Sequence, residues 1–277
     1  IFFDPNPNPS QSYLERKRLF TLPHSTWSDY NPKLISEGGG VFLRSAKKIA
    51  ISKQMKQWLN ISDDFLEPNQ LICKILVLNV DLFYNGGIGT FVKATTERNA
   101  DVGDRVNDSI RVNGNDLNAL IVCEGGNLGF TQLARIEFAK KGGLINTDAI
   151  DNSGGVNCSD NEVNIKILLN ELVVSGDLTN KQRDALLESM ANEVADLVLA
   201  NNRKQNEALT ITAFQAPDNL QMHNSLLKDL ERSAGLNAIV EYLPNSEEIS
   251  LRISKKQGFT RPELAVLMAY TKIQIKK

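Results

Sequence analysis

One strand–loop–helix–strand unit between residues 120 and 145 constrains this chain more than any other feature. Leu120-Ile-Val-Cys123 is an unbroken apolar run, the pattern of a strand buried on both faces of a parallel sheet. It runs into Glu124-Gly125-Gly126-Asn127, after which residues 131–141 read as an amphipathic helix with Leu133, Ile136, Phe138 and Ala139 on its apolar side. Leu144-Ile145 then restarts a strand. A second strand-like run, Val80-Asp-Leu-Phe-Tyr84, ends in Asn85-Gly86-Gly87-Ile88-Gly89-Thr90. It follows a buried helix that opens at Pro68, a favoured first helical residue, and carries Leu71, Ile72, Ile75, Leu76 and Leu78. Strands alternating with helices through glycine loops predict a doubly wound α/β sheet.

Upstream, Ile1-Phe2-Phe3-Asp4 is a short apolar run closed by an acid. The prolines and asparagines of Pro5-Asn-Pro-Asn-Pro9 then allow only loop. Residues 10–19 form a candidate helix with Leu14, Leu19 and Phe20 on its apolar side, and Trp27 and Tyr30 are candidate packing anchors. Gly38-Gly39-Gly40 breaks the chain, and residues 47–59 are weakly helical. Ile1-Phe2-Phe3 reads as a strand already under way, so the chain is expected to be a piece of something longer. From Val163 onward the pattern is helical only. Thr179 with Gln182 and Thr260 with Glu263 are capping-box signatures, and Leu186, Leu187, Met190, Val194, Leu197 and Val198 recur at helical spacing. The boundary between the α/β part and the helical part is expected near Asn170.

Composition narrows the function classes. The 277 residues are 42% hydrophobic and 23% charged with a net charge of -2, a balance without the basic footprint of nucleic-acid binding or of attraction to anionic membranes. The most apolar run, residues 71–80, is too short to span a bilayer. No targeting segment is visible at the start. Three widely spaced cysteines (Cys73, Cys123, Cys158) favour reduced thiols in a cytosolic setting. Two distant histidines, His24 and His223, with no second ligand at metal spacing, argue against a zinc site, and no metal is expected.

Ligands of open parallel sheets bind at the carboxyl ends of the strands, and four segments end there in suitable loops: Phe3-Asp4, the loop at Gly86-Gly87, the loop at Gly126-Asn127, and Asp151-Asn152-Ser153-Gly154-Gly155. An acid closing a strand, as Asp4 does, can accept hydrogen bonds from both hydroxyls of an adenosine ribose; it can equally cap a turn. The Gly86-Gly-Ile-Gly89 loop can face a phosphate but lacks the full GxGxxG spacing. Asn127 and Asn152 can present amides to a carboxamide-bearing ring, and Ser159 can donate to a substrate carboxylate. The acidic, amide-rich stretch 145–166 is therefore either a polar loop capping a helix or a ligand-lined loop. Cys123 and Cys158 read as packing residues, and Lys93 and Lys141 as solvated.

These segments resemble the NAD-specific glutamate dehydrogenases of the large bacterial type. The resemblance runs through Asp4-Pro-Asn-Pro-Asn-Pro9 with Glu15-Arg16, Leu22-Pro23, residues 36–44, and Val80-Asp-Leu-Phe-Tyr-Asn-Gly-Gly-Ile-Gly-Thr90. It continues in residues 102–107, Glu124-Gly-Gly-Asn-Leu-Gly129, residues 145–167, and Thr260-Arg-Pro-Glu-Leu-Ala-Val-Leu267. It implies a partial Rossmann-like sheet in the distal part of a dinucleotide-binding domain (1–170), followed by a helical C-terminal region (171–277). The implied cofactor is NAD, and the implied reaction is oxidative deamination of L-glutamate to 2-oxoglutarate and ammonia in a cytoplasmic homo-oligomer. By motif, Asn127 and Asn152 become contacts on the nicotinamide side, with Gly86, Gly87 and Gly126 as cofactor-facing glycines. Asp4 becomes a ribose partner and Ser159 a contact for the glutamate side-chain carboxylate. The family's glycine fingerprint and its catalytic lysine and aspartate are absent, so no catalytic residue is assigned and the isolated chain is expected to be inactive. Two alternatives stay open: a non-catalytic regulatory or assembly fragment, and another amino-acid dehydrogenase. Ser159 favours glutamate over an apolar substrate.

Overall fold

The computed structural model describes residues 1–275 and is a mixed α/β structure whose later part is helical. It divides into two compact units: residues Ile1–Asn79 with Asp108–Val112 and Asp116–Asn118, and Val80–Asn107 with Asn113–Asn115 and the chain from Ala119 onward. No helix of the described residues is long and apolar enough to cross a membrane.

In the first unit, β1 (Phe2–Phe3) pairs antiparallel with β2 (Gly40–Val41), and β3 (Ile49–Ala50) pairs antiparallel with β4 (Phe65–Leu66). Pro5, Pro7 and Pro9 after Asp4 have no backbone N–H to donate, and this stops β1 after two residues. Three helices accompany these pairs: α1 (Pro9–Thr21), α2 (Lys53–Leu59) and α3 (Pro68–Leu76). The Asn8 and Ser52 side chains cap α1 and α2 by accepting from the Gln11 and Met55 amides, satisfying donors that a helix start leaves unpaired. Phe3, Ile49, Ile51, Met55, Leu59, Leu66 and Leu71 form the core. Phe2 stacks on Trp27 at 4.8 Å between ring centroids, and Tyr30 packs beside them, so the two anchors are used. The face of α1 agrees with the sequence reading only at Leu19, which is buried. Leu14 and Phe20 are exposed, whereas Glu15 is buried because Arg18 and the Asn31 amide supply its carboxylate with donors at 2.7 Å.

The second unit is built on one parallel pair. In it β5 (Leu82–Asn85) runs beside β8 (Ile121–Glu124) in the register Leu82↔Ile121 to Asn85↔Glu124. The short strands β6 (Val92–Lys93) and β7 (Val112–Asn113) and the one-turn helix α4 (Asn99–Val102) lie between them in the chain. After β8, α5 (Gln132–Lys140) is capped by Thr131, whose side chain accepts from the Ala134 amide. The chain then returns through Leu144, which makes a parallel bridge to Ile121. The expected third strand is thus reduced to a bridge, because the chain turns directly into α6 (Asp148–Asp151).

Helices follow through Ile275: α7 (Val156–Val174), α8 (Asn180–Gln215), α9 (Leu220–Ser233), α10 (Ser246–Ser254) and α11 (Arg261–Ile275). Asn170 falls inside α7. Thr179 and Gln182 make the reciprocal capping box at α8. The helical core gathers Ile150, Leu209, Leu220, Leu227, Leu230, Ile249, Phe259, Leu264 and Leu267. Of the apolar stripe read along α8, Val198 is buried, while Leu186 and Leu197 are exposed.

Candidate functional site

Because β5 and β8 are parallel, their carboxyl ends emerge on the same side, and the loops that follow lie against each other. The Asn85 carbonyl accepts from the amides of both Gly125 and Gly126, at 2.9 and 3.2 Å. A β-carbon on Gly126 would stand 2.5 Å from the Gly87 carbonyl oxygen, so only glycine permits this approach. Gly87 itself borders open space, with nothing near the position a β-carbon would take. Gly126 therefore serves loop packing, and Gly87 is the glycine with room beside it. Gly86 lies against the Tyr84 ring.

The two asparagines picked out from sequence meet. Asn152 Nδ2 donates to Asn127 Oδ1 at 2.6 Å, and Asn152 Oδ1 accepts from the Gly155 amide at 3.1 Å. Asn152 ends α6, its own amide donating to the Asp148 carbonyl at 2.8 Å. Ser159 stands in the first turn of α7, exposed, with Oγ donating to the Gly155 carbonyl at 2.7 Å. Ser153 is instead buried and structural: it donates to the Ile150 carbonyl and accepts from Asn202 Nδ2 at 2.5 Å. Asp4 belongs to the first unit. Its Oδ1 accepts from the Ser36 hydroxyl, from the Ser36 amide at 3.2 Å and from the Asn6 amide at 3.4 Å. Its Oδ2 is buried and has no partner among the described residues.

Beneath these loops lies a charged cluster that sequence reasoning missed. Glu124, with 0% exposure, accepts from Arg135 Nε at 2.6 Å and Nη2 at 2.9 Å. Arg135 Nη2 also reaches Asp148 at 3.2 Å. Asp151 accepts from the Glu124 amide at 3.0 Å and from Asn146 Nδ2 at 2.6 Å, and Asn146 Oδ1 accepts from Arg261 Nε at 2.5 Å. Burial pushes the Glu124 and Asp151 carboxyls above their ordinary values; hydrogen bonds from Arg135 and Asn146, respectively, offset part of that rise. The available sequence signal was an arginine standing among Ala134, Ile136 and Phe138 on the buried face of α5.

Cys123 stands next to this cluster, and its thiol is pushed up to about 11 by burial and by the Asp151 charge. A protonated thiol is a poor nucleophile, which agrees with a packing role. Lys93 departs from the solvated reading. It is half-buried and donates to Asn113 Oδ1 at 2.6 Å and to the Ala94 carbonyl at 3.2 Å. Lys141 donates to the Asn115 carbonyl at 2.9 Å. The arrangement as a whole offers amides, a hydroxyl and an open glycine loop, groups that bind and orient a ligand by hydrogen bonding.

Residues 1–212 match the family described as bacterial NAD-glutamate dehydrogenase, catalytic domain. Among curated proteins, the chain is 55% identical over 277 residues to an NAD-specific glutamate dehydrogenase of Pseudomonas aeruginosa. It is 50% identical over 276 residues to a protein of the same name from Halomonas elongata, and 49% identical over 283 residues to one from Mycobacterium tuberculosis. Each comparison covers 100% of this chain and 17% of the relative.

Proposed function

The chain belongs to the family of bacterial NAD-glutamate dehydrogenase catalytic domains, and on that premise we propose that it supplies part of the NAD site and one substrate contact to an enzyme that oxidatively deaminates L-glutamate. The observation that carries this reading is the 2.6 Å Asn152–Asn127 hydrogen bond at the carboxyl ends of the β5–β8 pair, where open α/β sheets take their ligands. On this reading the parallel pair is part of a Rossmann-like, doubly wound sheet.

The residues present suit a dinucleotide. Gly87 has space beside it for a ligand. Asn127 spends its Oδ1 on Asn152, which leaves its Nδ2 to donate to a ring carboxamide. Asp4 Oδ2, without a partner among the described residues, suits a ribose hydroxyl as donor. NAD, when bound, accepts the hydride from the substrate α-carbon. Within the chain, Asn127 and Asn152 orient the nicotinamide side, and Ser159 turns its hydroxyl from the Gly155 carbonyl to the distal carboxylate of glutamate. Cys123, protonated at neutral pH, takes no part. The base that moves protons lies outside this set of residues, so the chain alone is inactive. The chain spans 17% of the length of the curated relatives it matches, and the remainder of the enzyme completes the site. The three free cysteines support a reducing, cytoplasmic setting, and the same reading has the parent enzyme assemble as a homo-oligomer.

The test is glutamate-dependent NAD reduction by the full-length protein, wild type against Ser159→Ala. The variant is expected to lose kcat/KM by about 10- to 1,000-fold, roughly 1.4 to 4 kcal/mol. An active wild type with an unchanged variant removes Ser159 from the substrate site. An inactive wild type overturns the enzymatic reading.

A further inference from the structure

Asn127 sits on a loop whose backbone is held by carboxylates. The Glu124 amide donates to Asp151 Oδ2 at 3.0 Å, the Leu128 amide to Asp148 Oδ2 at 2.8 Å, and the Phe130 amide to Glu124 Oε1 at 3.1 Å. These fastenings flank Asn127 on both sides, and Asp148 and Asp151 belong to the helix that ends in Asn152. Two of these carboxylates therefore tie the Asn127 loop to the helix that ends in Asn152.

Gathered under one loop, such charges repel one another and are costly to desolvate unless paired. Arg135 provides the pairing. Its Nε and Nη2 grip both oxygens of Glu124 at 2.6 and 2.9 Å, and Nη2 also reaches Asp148 Oδ1 at 3.2 Å. Its Nη1 donates to Gln132 Oε1 at 3.3 Å. The guanidinium thus joins the carboxylate holding Phe130 to the carboxylate holding Leu128. The side chain is 5% exposed, so water screens these contacts little. A planar fork can serve two oxygens of one carboxylate and still reach a second acid, whereas a lysine ammonium is a single point of charge.

We propose that Arg135 is a positioning residue, whose bridge between Glu124 and Asp148 locks residues 124–130 in the shape that sets Asn127 against Asn152 for cofactor binding. The proposal rests on the reading of Asn127 and Asn152 as NAD contacts. Arg135 touches neither cofactor nor substrate and acts through Asn127 alone.

The experiment compares four forms of the full-length protein: wild type, Arg135→Lys, Asn127→Ala and the double variant. KM for NAD and kcat are measured separately at saturating glutamate, and near-ultraviolet circular dichroism reports folding. Arg135→Lys keeps the charge but loses the fork, and is expected to raise KM for NAD by about 10- to 100-fold, the range that a small misplacement of a binding group produces. In the Asn127→Ala background the same change is expected to add little, because the group that it positions is gone. A general structural defect would lower the amount of active enzyme and leave KM unchanged. The proposal is overturned if Arg135→Lys folds and keeps the wild-type KM for NAD, or if the two effects multiply in the double variant. Asn127→Ala with wild-type kinetics would sink both the proposal and the cofactor reading beneath it. An altered Asn127→Ala beside an unaltered Arg135→Lys sinks the proposal alone.

Discussion

Replacing Arg252 by Met should open the end of the helical region far more than a surface substitution would. Arg252 is 3% exposed and Glu263 1%. They meet as fork on fork, Nη1 to Oε2 and Nη2 to Oε1, both at 2.7 Å. Arg252 also donates to the Gly258 carbonyl at 3.1 Å and lies 5.8 Å from the Phe259 ring centroid. Glu263 in turn accepts from the Thr260 amide at 2.6 Å and the Thr260 hydroxyl at 2.8 Å, so the carboxylate that pairs with α10 also caps α11. Arg252→Met leaves that carboxylate buried with only the threonine donors, and breaking a buried pair from one side costs about 3 to 5 kcal/mol. Adding Glu263→Leu removes the stranded charge. The double variant then loses the Thr260 contacts and the Arg252 contacts to the Gly258 carbonyl and Glu248, each a hydrogen bond of about 1 kcal/mol, and strands no buried charge. Native-state hydrogen exchange of the α10 and α11 amides in the full-length protein reads these local opening free energies directly. The double variant should lie closer to wild type than Arg252→Met does. A single-variant cost under about 1 kcal/mol, or a double-variant loss equal to the sum of the two singles, would refute the coupling.

Two further expectations follow from buried titratable groups. His223 is buried, packs edge-on to Phe259 with 5.9 Å between ring centroids, and has no Nδ1 partner among the described residues. Burial lowers its pKa from 6.5, so the unfolded chain binds the proton first. Its contribution is therefore complete above the unfolded value and lost as pH falls toward the folded one. Hydrogen exchange of α9 amides should show stability dropping as the pH falls below 6.5, and His223→Leu should flatten that slope; an unchanged slope would exonerate the histidine. The Cys123 thiol, raised from 9.0 to about 11, should hold about a hundred-fold less thiolate than an ordinary cysteine at neutral pH. Mass spectrometry of iodoacetamide-treated native protein should find it labelled much more slowly than a cysteine in a short peptide, and equal rates would contradict the burial argument.

Caps and strands were legible because their causes are local. The Thr179–Gln182 capping box is present, α5 begins after Thr131, and β5 and β8 occupy the two apolar runs that close on glycine loops. Asn127 and Asn152 were legible as candidates because each stands beside a glycine pair, Asn127 after Gly125-Gly126 and Asn152 before Gly154-Gly155, where the backbone can approach a ligand. Their mutual hydrogen bond was not, since 25 residues separate them. Leu19 of α1 and Ile136 and Phe138 of α5 are buried as their spacing implied, but the burial of Glu15 and Arg135 beside them was not legible. Helical periodicity says that one side is apolar but cannot foresee that Glu15 will find the Asn31 amide or Arg135 the Glu124 carboxylate.

The sequence by itself determined where the capped or proline-started helices α3, α5 and α8 begin, where strands end in glycine loops and which family the chain resembles, since each rests on contacts within a few residues or on ordered motifs. It did not place the start of α2, read too early at residue 47, or of α7, read too late at Val163. Only the tertiary structure decided that β1 takes β2 as an antiparallel partner, that Leu144 contributes a bridge and no full strand, and that Arg135 ties together the acids beneath the asparagine pair. Those outcomes depend on which distant segments meet. A buried charge is stable only where that meeting supplies a partner, and nothing in the spacing of residues along the chain encodes the meeting itself.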